Sequence, residues 1–191
     1  MKTRVGLVAL LVFFTFKSSY PQVRGTGSDW FIDYFTANVD SQSRGLLTSV
    51  DINHTNKAIN YIGNGRIDYA SRELDYTLRH VPNHPRALQL IGVCAQLTKN
   101  SPLALKYYAR ALQLFPDYAL TRAQYGNYLS VIGKMDEGIA ELNRATEMDP
   151  RLLQAYVWLS SAYNKAGKPD LARQATDKAR EFGYTGEIPG R

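Results

Sequence analysis

The chain has 191 residues, enough for one ordinary domain or a short repeat array, and its 45% hydrophobic content is that of a folded protein and not of a disordered one. The formal charge of +6 would suit a nucleic-acid partner, but Lys2, Arg4, Lys17 and Arg24 all lie in the first 25 residues, which carry no Asp or Glu. The remainder holds 19 basic against 17 acidic residues and no long basic run, so the electrostatic footprint of a nucleic-acid binder is missing.

The first predicted element is the apolar run from Val5 to Phe16, preceded by Lys2 and Arg4. A helix of that length reaches about 18 Å, short of the ~30 Å hydrocarbon core of a bilayer. The run therefore fits the core of a secretory signal peptide, with a buried apolar helix as the alternative. Val23 and Gly25 have small side chains at the spacing of a cleavage site, but they lie far from the run. Residues 1–25 are thus expected to be either a signal peptide or an uncleaved N-terminal anchor. On either reading the protein is exported, periplasmic or secreted. No cysteine lies near the run, which excludes lipid attachment of the bacterial lipoprotein kind.

Residues 26–50 come next, as an arm. Its DWFIDYF stretch carries four aromatics, Trp30, Phe31, Tyr34 and Phe35. Trp30 with Tyr34, and Phe31 with Phe35, have the spacing of stacked pairs on a short helix. Such a helix would cap the exposed end of the region that starts at residue 51, or serve as an aromatic anchor for a partner or membrane interface. Gly45 and its polar neighbours read as a hinge or loop.

From residue 51 the chain repeats. Pro82, Pro116 and Pro150 recur at intervals of 34 residues, which gives the lines 51–84, 85–118, 119–152 and 153–186, with 187–191 as a tail. Each line holds two helical patterns. In the second, Leu88, Ile91, Gly92 and Ala95 space one face of a first helix, and Ala104, Tyr108, Ala111 and Leu112 a face of a second. Ser101 and Pro102 suit the start of that second helix, and Pro116 lies just past its end. Small residues recur in phase at Ala58, Gly92, Gly126 and Ser160, and again at Ala70, Ala104, Gly138 and Ala172. They let helix backbones approach closely. The interhelix turns read GRID (65–68), GKMD (133–136) and GKPD (167–170). Their glycines supply the left-handed conformation that ends a helix, and Asp68, Asp136 and Asp170 meet the next helix dipole.

A search for chemistry finds little. His80 and His84 have helical spacing, but Pro82 interrupts them, and no cysteine or carboxylate cluster completes a ligand set with them or with His54. They read as loop histidines at a repeat junction. No metal, no cofactor and no catalytic residue is predicted. Cys94, the only cysteine, falls in an apolar helix pattern and reads as a small buried hydrophobe. The IGNGRI segment (62–67) reads as an interhelix turn, since no strand precedes it and no phosphate-binding lysine comes after it. Asn53-His54-Thr55 matches a glycosylation sequon.

This grammar resembles the tetratricopeptide repeat family. The matches are Leu88, Ile91, Gly92, Ala104, Tyr108, Ala111 and Pro116 in the second line, and Gly126, Leu129, Leu142, Ala145 and Pro150 in the third. The fourth line matches at Tyr156, Leu159, Tyr163, Ala172 and Ala179, and the first at Tyr61, Ala70, Leu74 and Pro82. His54 and Lys57 stand at core positions of the first line and depart from the pattern. The resemblance implies an all-α, right-handed superhelical solenoid of about four helix-turn-helix repeats. It also implies a non-enzymatic module whose first helices line a groove for a protein or peptide partner. Carried over position by position, that groove comprises Arg86, Gln89, Val93, Gln96, Ala123, Asn127, Ser130, Gln154, Val157, Ser161 and Asn164. Leu97, Leu120, Val131 and Lys165 complete the same positions. The expected role is support of an envelope or extracellular assembly. The alternative is a permanent subunit of such an assembly, held through the aromatic arm.

Overall fold

The structure is a computed structural model that describes residues 23–187. The apolar run expected to be a signal or anchor, and residues 188–191 of the tail, lie outside the described residues. Among those described, no helix is long and apolar enough to cross a membrane.

Eight helices form four successive pairs: α2 (Asn56–Gly63) with α3 (Ile67–His80), α4 (Pro85–Leu97) with α5 (Ser101–Leu114), α6 (Ala119–Val131) with α7 (Met135–Met148), and α8 (Leu153–Lys165) with α9 (Pro169–Glu181). Within each pair the helices pack on one another. Each first helix also touches the next first helix, α2 on α4, α4 on α6 and α6 on α8. The second helices close the gaps, with α3 against α4, α5 against α6 and α7 against α8. The result is an all-α repeat solenoid on the expected 34-residue period, and each pair buries its apolar face against the next.

The turn residues do what their chemistry dictates. Gly65, Gly133 and Gly167 adopt φ of 70°, 88° and 69°, the left-handed conformation that stops the first helix of their pairs. The second pair has no glycine there, and Lys99 takes the same conformation at φ 54°. The in-phase small residues serve two different ends. A methyl group on Gly126 would meet the Gly138 carbonyl at 2.8 Å, and one on Gly138 would meet the Ser130 amide at 2.8 Å. In this pair the two backbones touch. A methyl group on Gly92 would instead meet side chains, the Tyr128 ring at 3.1 Å and the Tyr108 hydroxyl at 3.8 Å.

The segment before the first pair departs from expectation. Gly45 is not in a hinge but inside a helix, α1 (Ser41–Val50). Asp40 caps that helix by accepting a 2.8 Å hydrogen bond from the Ser43 amide, which lowers the Asp40 carboxyl pKa. The backbone stays helical through a π-turn at Asp51–Thr55 into α2, so the first helix of the first repeat runs from Ser41 to Gly63. In the sequon Asn53-His54-Thr55, the Thr55 side chain is buried and lies 3.3 Å from the Thr77 hydroxyl.

The aromatic arm is likewise not a helix. Val23–Arg24 (β1) pairs antiparallel with Phe31–Ile32 (β2), and Gly25 makes the return at φ 85°. A side chain at Gly25 would collide with the Asp29 carbonyl at 2.3 Å. Trp30 and Tyr34 do not stack, nor do Phe31 and Phe35. Alternation along an extended chain sends their rings toward different partners. The arm lies along the edge of the solenoid, where Ile32, Ala37, Leu47, Val50 and Val81 form a core of their own.

Candidate functional site

The first helices open onto a cleft of about 220 Å3. Helix α4 lines it with Gln89, Gly92, Val93 and Gln96, α6 with Gln124, Asn127, Tyr128 and Val131, α5 with Tyr108 and α8 with Trp158. Val93 and Val131 are each 40% exposed and line the cleft together. Gln96 donates back to the Gly92 carbonyl at 3.3 Å.

The floor is aromatic. The rings of Tyr108 and Tyr128 stack at 5.5 Å, and their hydroxyls donate to the carbonyls of Leu88 (3.0 Å) and Ser101 (3.3 Å). Burial raises both phenol pKa values, so both rings stay neutral. The absence of a side chain at Gly92 leaves room for Tyr128 to lean over α4. Gln124 is 2% exposed, and its Nε2 donates to the Pro85 carbonyl at 2.9 Å. Its Oε1 is buried without a hydrogen-bond partner. The cleft can hold a neutral chain by polar contacts and one apolar group by burial. It has no charge with which to grip an ion.

The expected groove set divides. Gln89, Val93, Gln96 and Asn127 come together here, with Val131. Arg86 is exposed on α4 but does not line the cleft, and Gln154 is half-buried on α8 away from it. Asn164 lines a different hollow, with Pro169, Ala172, Arg173 and Thr176 at the end of the array. Ala123, Ser130, Val157 and Ser161 are corrections, because all four are buried. Ala123 packs among Ile139, Leu142, Ala155 and Leu159. Ser130 turns its hydroxyl to the Gly126 carbonyl at 3.0 Å, inside the close α6–α7 contact. Neighbouring helices, including the partner helix of the same pair, cover positions that are open in the second repeat.

A second constellation joins the arm to the repeat junctions. Asn83 is fully buried between α3 and α4. Its side chain accepts from the Tyr34 amide at 2.9 Å and donates to Asp33 Oδ1 at 2.7 Å. The Tyr118 hydroxyl donates to the other oxygen of the same carboxylate, and burial, then that bond, raises the Tyr118 pKa. Asp33 thus ties the α3–α4 junction to the α5–α6 junction. The aromatics complete the contact, with Trp30 stacked on His80 at 4.0 Å, Tyr34 against His84 at 4.8 Å, and Phe35 stacked on Tyr118 at 4.4 Å. Phe31 meets Phe115 edge-on at 6.3 Å.

The histidines are working parts of this junction: His84 lies in the α3–α4 loop as expected, whereas His80 is the last residue of α3. A carbonyl only accepts, so His80 carries its proton on Nδ1 and donates to Trp30 O at 2.7 Å. Burial lowers the His80 pKa despite that bond, and Arg79, His54 and Arg110 lower it further. His84 caps α4 by accepting from the Ala87 amide through Nδ1, which leaves Nε2 to donate to Asp51 at 2.8 Å. Burial raises the Asp51 pKa, but the His84 bond and charge outweigh it and the net shift is downward. His54 bonds Glu73 at 2.6 Å and stacks on Tyr76, which accounts for a histidine at a core position of the first repeat. Among the described residues no cluster could hold a metal ion.

The tetratricopeptide repeat model matches residues 55–119 and 126–184, most of the chain. The chain belongs to the tetratricopeptide repeat family. No curated protein matches its sequence. Solved tetratricopeptide structures match its fold. One, from work titled functional characterization of Pseudomonas aeruginosa PilF, has a TM-score of 0.56 at 19% identity, over 72% of this chain and 63% of that one. YrrB, described as a TPR protein with an unusual peptide-binding site, gives 0.51 at 22% over 77% and 82%. MamA from Desulfovibrio magneticus RS-1 gives 0.51 at 21% over 65% and 71%. At these identities the likeness concerns the fold alone.

Within the tetratricopeptide phase, the lining residues that sequence reasoning missed fall into two groups. Tyr108 reads as core and Tyr128 was not singled out, and both are core on one side and cleft floor on the other. Gln124 and Trp158 stand 34 residues apart, in phase with Leu90. A glutamine and then a tryptophan where that repeat has leucine was the available signal that this phase faces a site.

Proposed function

We propose that this protein is an exported, non-enzymatic binding module that holds a segment of a partner protein in the cleft across α4, α6 and α8. The family supplies the coarse part, since tetratricopeptide arrays are interaction scaffolds. The observation that carries the finer part is the cleft itself: two exposed valines, a tryptophan and uncharged amides, open to solvent and backed by a fully packed layer. The YrrB description supports peptide binding as a use of this fold. Export rests on the cationic, apolar N-terminus, and the assembly supported is then one of the envelope or the extracellular space. The alternative role for the arm, as fixed contact of a permanent subunit, has less behind it. Trp30, Phe31, Tyr34 and Phe35 all spend ring faces or edges on their own chain.

Site-specific photo-crosslinking in the native cells separates the readings. A crosslinker placed at Gln89 or Val131 of the full chain should capture one protein, and a crosslinker at Gln174, exposed on α9, should not. Capture from Phe35 with nothing from Gln89 would transfer the function to the arm. Cell fractionation of the same strain, with the protein retained in the cytoplasm, would remove export from the reading.

A further inference from the structure

The turn that ends α2 differs chemically from its three counterparts. Asn64 stands in phase with Thr98, Ile132 and Ala166, and each of the four precedes a residue in the left-handed conformation. The backbone hydrogen bonds follow one pattern at every turn. Here the Gly65 amide donates to the Ile62 carbonyl at 3.0 Å and the Arg66 amide to the Tyr61 carbonyl at 2.8 Å. The Asn64 side chain adds a bond of its own, with Nδ2 donating to the Asn60 carbonyl at 2.8 Å. The Thr98 hydroxyl makes the equivalent bond to the Cys94 carbonyl at 2.8 Å. The cap is thus served as well by threonine, whereas a carboxamide brings a reactivity that threonine lacks.

Asparagine is thermolabile, because the next backbone nitrogen can close onto its side-chain carbonyl carbon in a five-membered ring. A side chain on the next residue obstructs that closure. Of the chain's asparagines only Asn64 is followed by glycine. Gly63, Asn64, Gly65 and Arg66 are all exposed, and a Cβ added at Gly63 or Gly65 would meet nothing within 4 Å.

We propose that Asn64 is a site of spontaneous covalent modification, converted by water to aspartate and isoaspartate at a rate set by opening of the α2 cap. The Gly65 nitrogen gives its proton to hydroxide and bonds to Asn64 Cγ. The Cγ–Nδ2 bond breaks, and Nδ2 leaves as ammonia with a proton taken from water. Water then adds to either carbonyl of the succinimide ring. Cleavage of the new Cγ–N bond gives aspartate. Cleavage at the original backbone carbonyl gives isoaspartate, with the main chain rerouted through Cγ. The closed cap is the brake. With Nδ2 on Asn60 and the Gly65 N–H on Ile62, neither reacting group is free, and Asn64 sits at φ −97° and ψ 11°. The turn residues are already in solvent and two of them are glycine, so releasing them uncovers little apolar surface and needs no unfolding of the array. The product puts a carboxylate at the C-terminus of α2, where the helix dipole disfavours it. The isoaspartate form also lengthens the main chain by a methylene group inside the cap.

The test ages the full chain in mildly alkaline buffer at physiological temperature and maps its peptides by mass spectrometry. The mass gain of an amide-to-acid exchange should appear at Asn64, split between two chromatographically distinct products, about tenfold or more ahead of any other asparagine. The rate should rise with pH, because the attacking nitrogen is deprotonated. It should rise about tenfold or more in urea that unfolds the chain, because the cap is then gone. Asn64→Thr borrows the residue of the second pair and keeps the cap bond. It should leave the melting curve unchanged and abolish the acidic variant seen on ion exchange. An acidic variant that persists in Asn64→Thr, or an Asn64 still intact after other asparagines have changed, would overturn the site. Equal rates in the folded and the urea-unfolded chain would overturn the cap as its brake.

Discussion

Two regions of the array are held together by different means. At α6–α7 the contact is backbone on backbone, with Gly126 and Gly138 in van der Waals range of each other's main chain. At the α3–α4 junction it is side chain on side chain, with Asn83, Asp33, Tyr118 and two histidines linking three separate parts of the chain. The first kind tolerates no added volume. The second tolerates no lost partner. A repeat period encodes the first, because the same phase must stay small in every line. Nothing periodic encodes the second, because the arm occurs once.

The largest expected effect tests the backbone contact. Gly138→Ala would put a methyl group 2.2 Å from Ser130 Oγ and 2.7 Å from the Gly126 carbonyl. The clash involves main chain, so no rotamer change relieves it, and a loss of about 3 kcal/mol is expected. Gly92→Ala meets side-chain atoms of Tyr128 and Tyr108 and no main chain, and a helical Ala gains about 1 kcal/mol over Gly, so the variant should fall within about 1 kcal/mol of wild type. Urea denaturation of both settles the contrast. Equal losses would mean that the phase, and not the local contact, sets the cost.

Asn83→Ala tests the other region. It removes an acceptor from the Tyr34 amide and a donor from Asp33, both at a fully buried position, at an expected cost of about 1–3 kcal/mol. The loss should be local. Amide exchange should quicken in Phe31–Phe35 and α1 and stay unchanged in α8 and α9, since repeats couple mainly to their neighbours. Uniform quickening would make the junction part of one cooperative unit with the far repeats.

These two regions also mark what the sequence made legible. The helix pairs, their turns and their order came from glycine, proline and aliphatic phase, which are local rules applied several times over. The arm did not. DWFIDYF has helical spacing, and its β1 partner is only two residues long, so the strand is decided by tertiary contacts that no window contains. Asn83 and Asp33 are 50 positions apart and carry no motif. The groove was half legible. Val93 and Asn127 were placed by phase, but Ala123 and Val157 share the phase of Gln89 and are buried. Phase fixes a position within one repeat. It does not say how closely the neighbouring helices cover it.

A smaller effect is expected from His80. Its pKa is held below 6.5 by burial first, then by Arg79, His54 and Arg110, so the unfolded chain takes up a proton more readily than the folded one. The His80 contribution is therefore complete above about pH 6.5 and is lost progressively as pH falls below it, down to the depressed folded value. Protonation keeps the Nδ1–H donor to Trp30, so the penalty is that of a buried charge and not of a broken bond. His80→Phe should flatten the fall in stability between neutral and mildly acidic pH while lowering stability at pH 8. A variant with an unchanged acid limb would place the pH dependence elsewhere in the junction.

The smallest effect is a gain. Lys99 holds a left-handed backbone conformation that Gly65, Gly133 and Gly167 hold in the other pairs. Such a conformation costs a residue with a Cβ about 1–2 kcal/mol, part of which glycine returns through its looser unfolded state. Lys99→Gly should therefore stabilise by about 0.5–1 kcal/mol, read as a rise in Tm. The reverse change supplies the control. The space around Gly133 is open, so Gly133→Lys meets no clash and suffers only the backbone strain. It should lose roughly what Lys99→Gly gains. If the loss is much larger than the gain, the second turn is supported by something other than its own conformation.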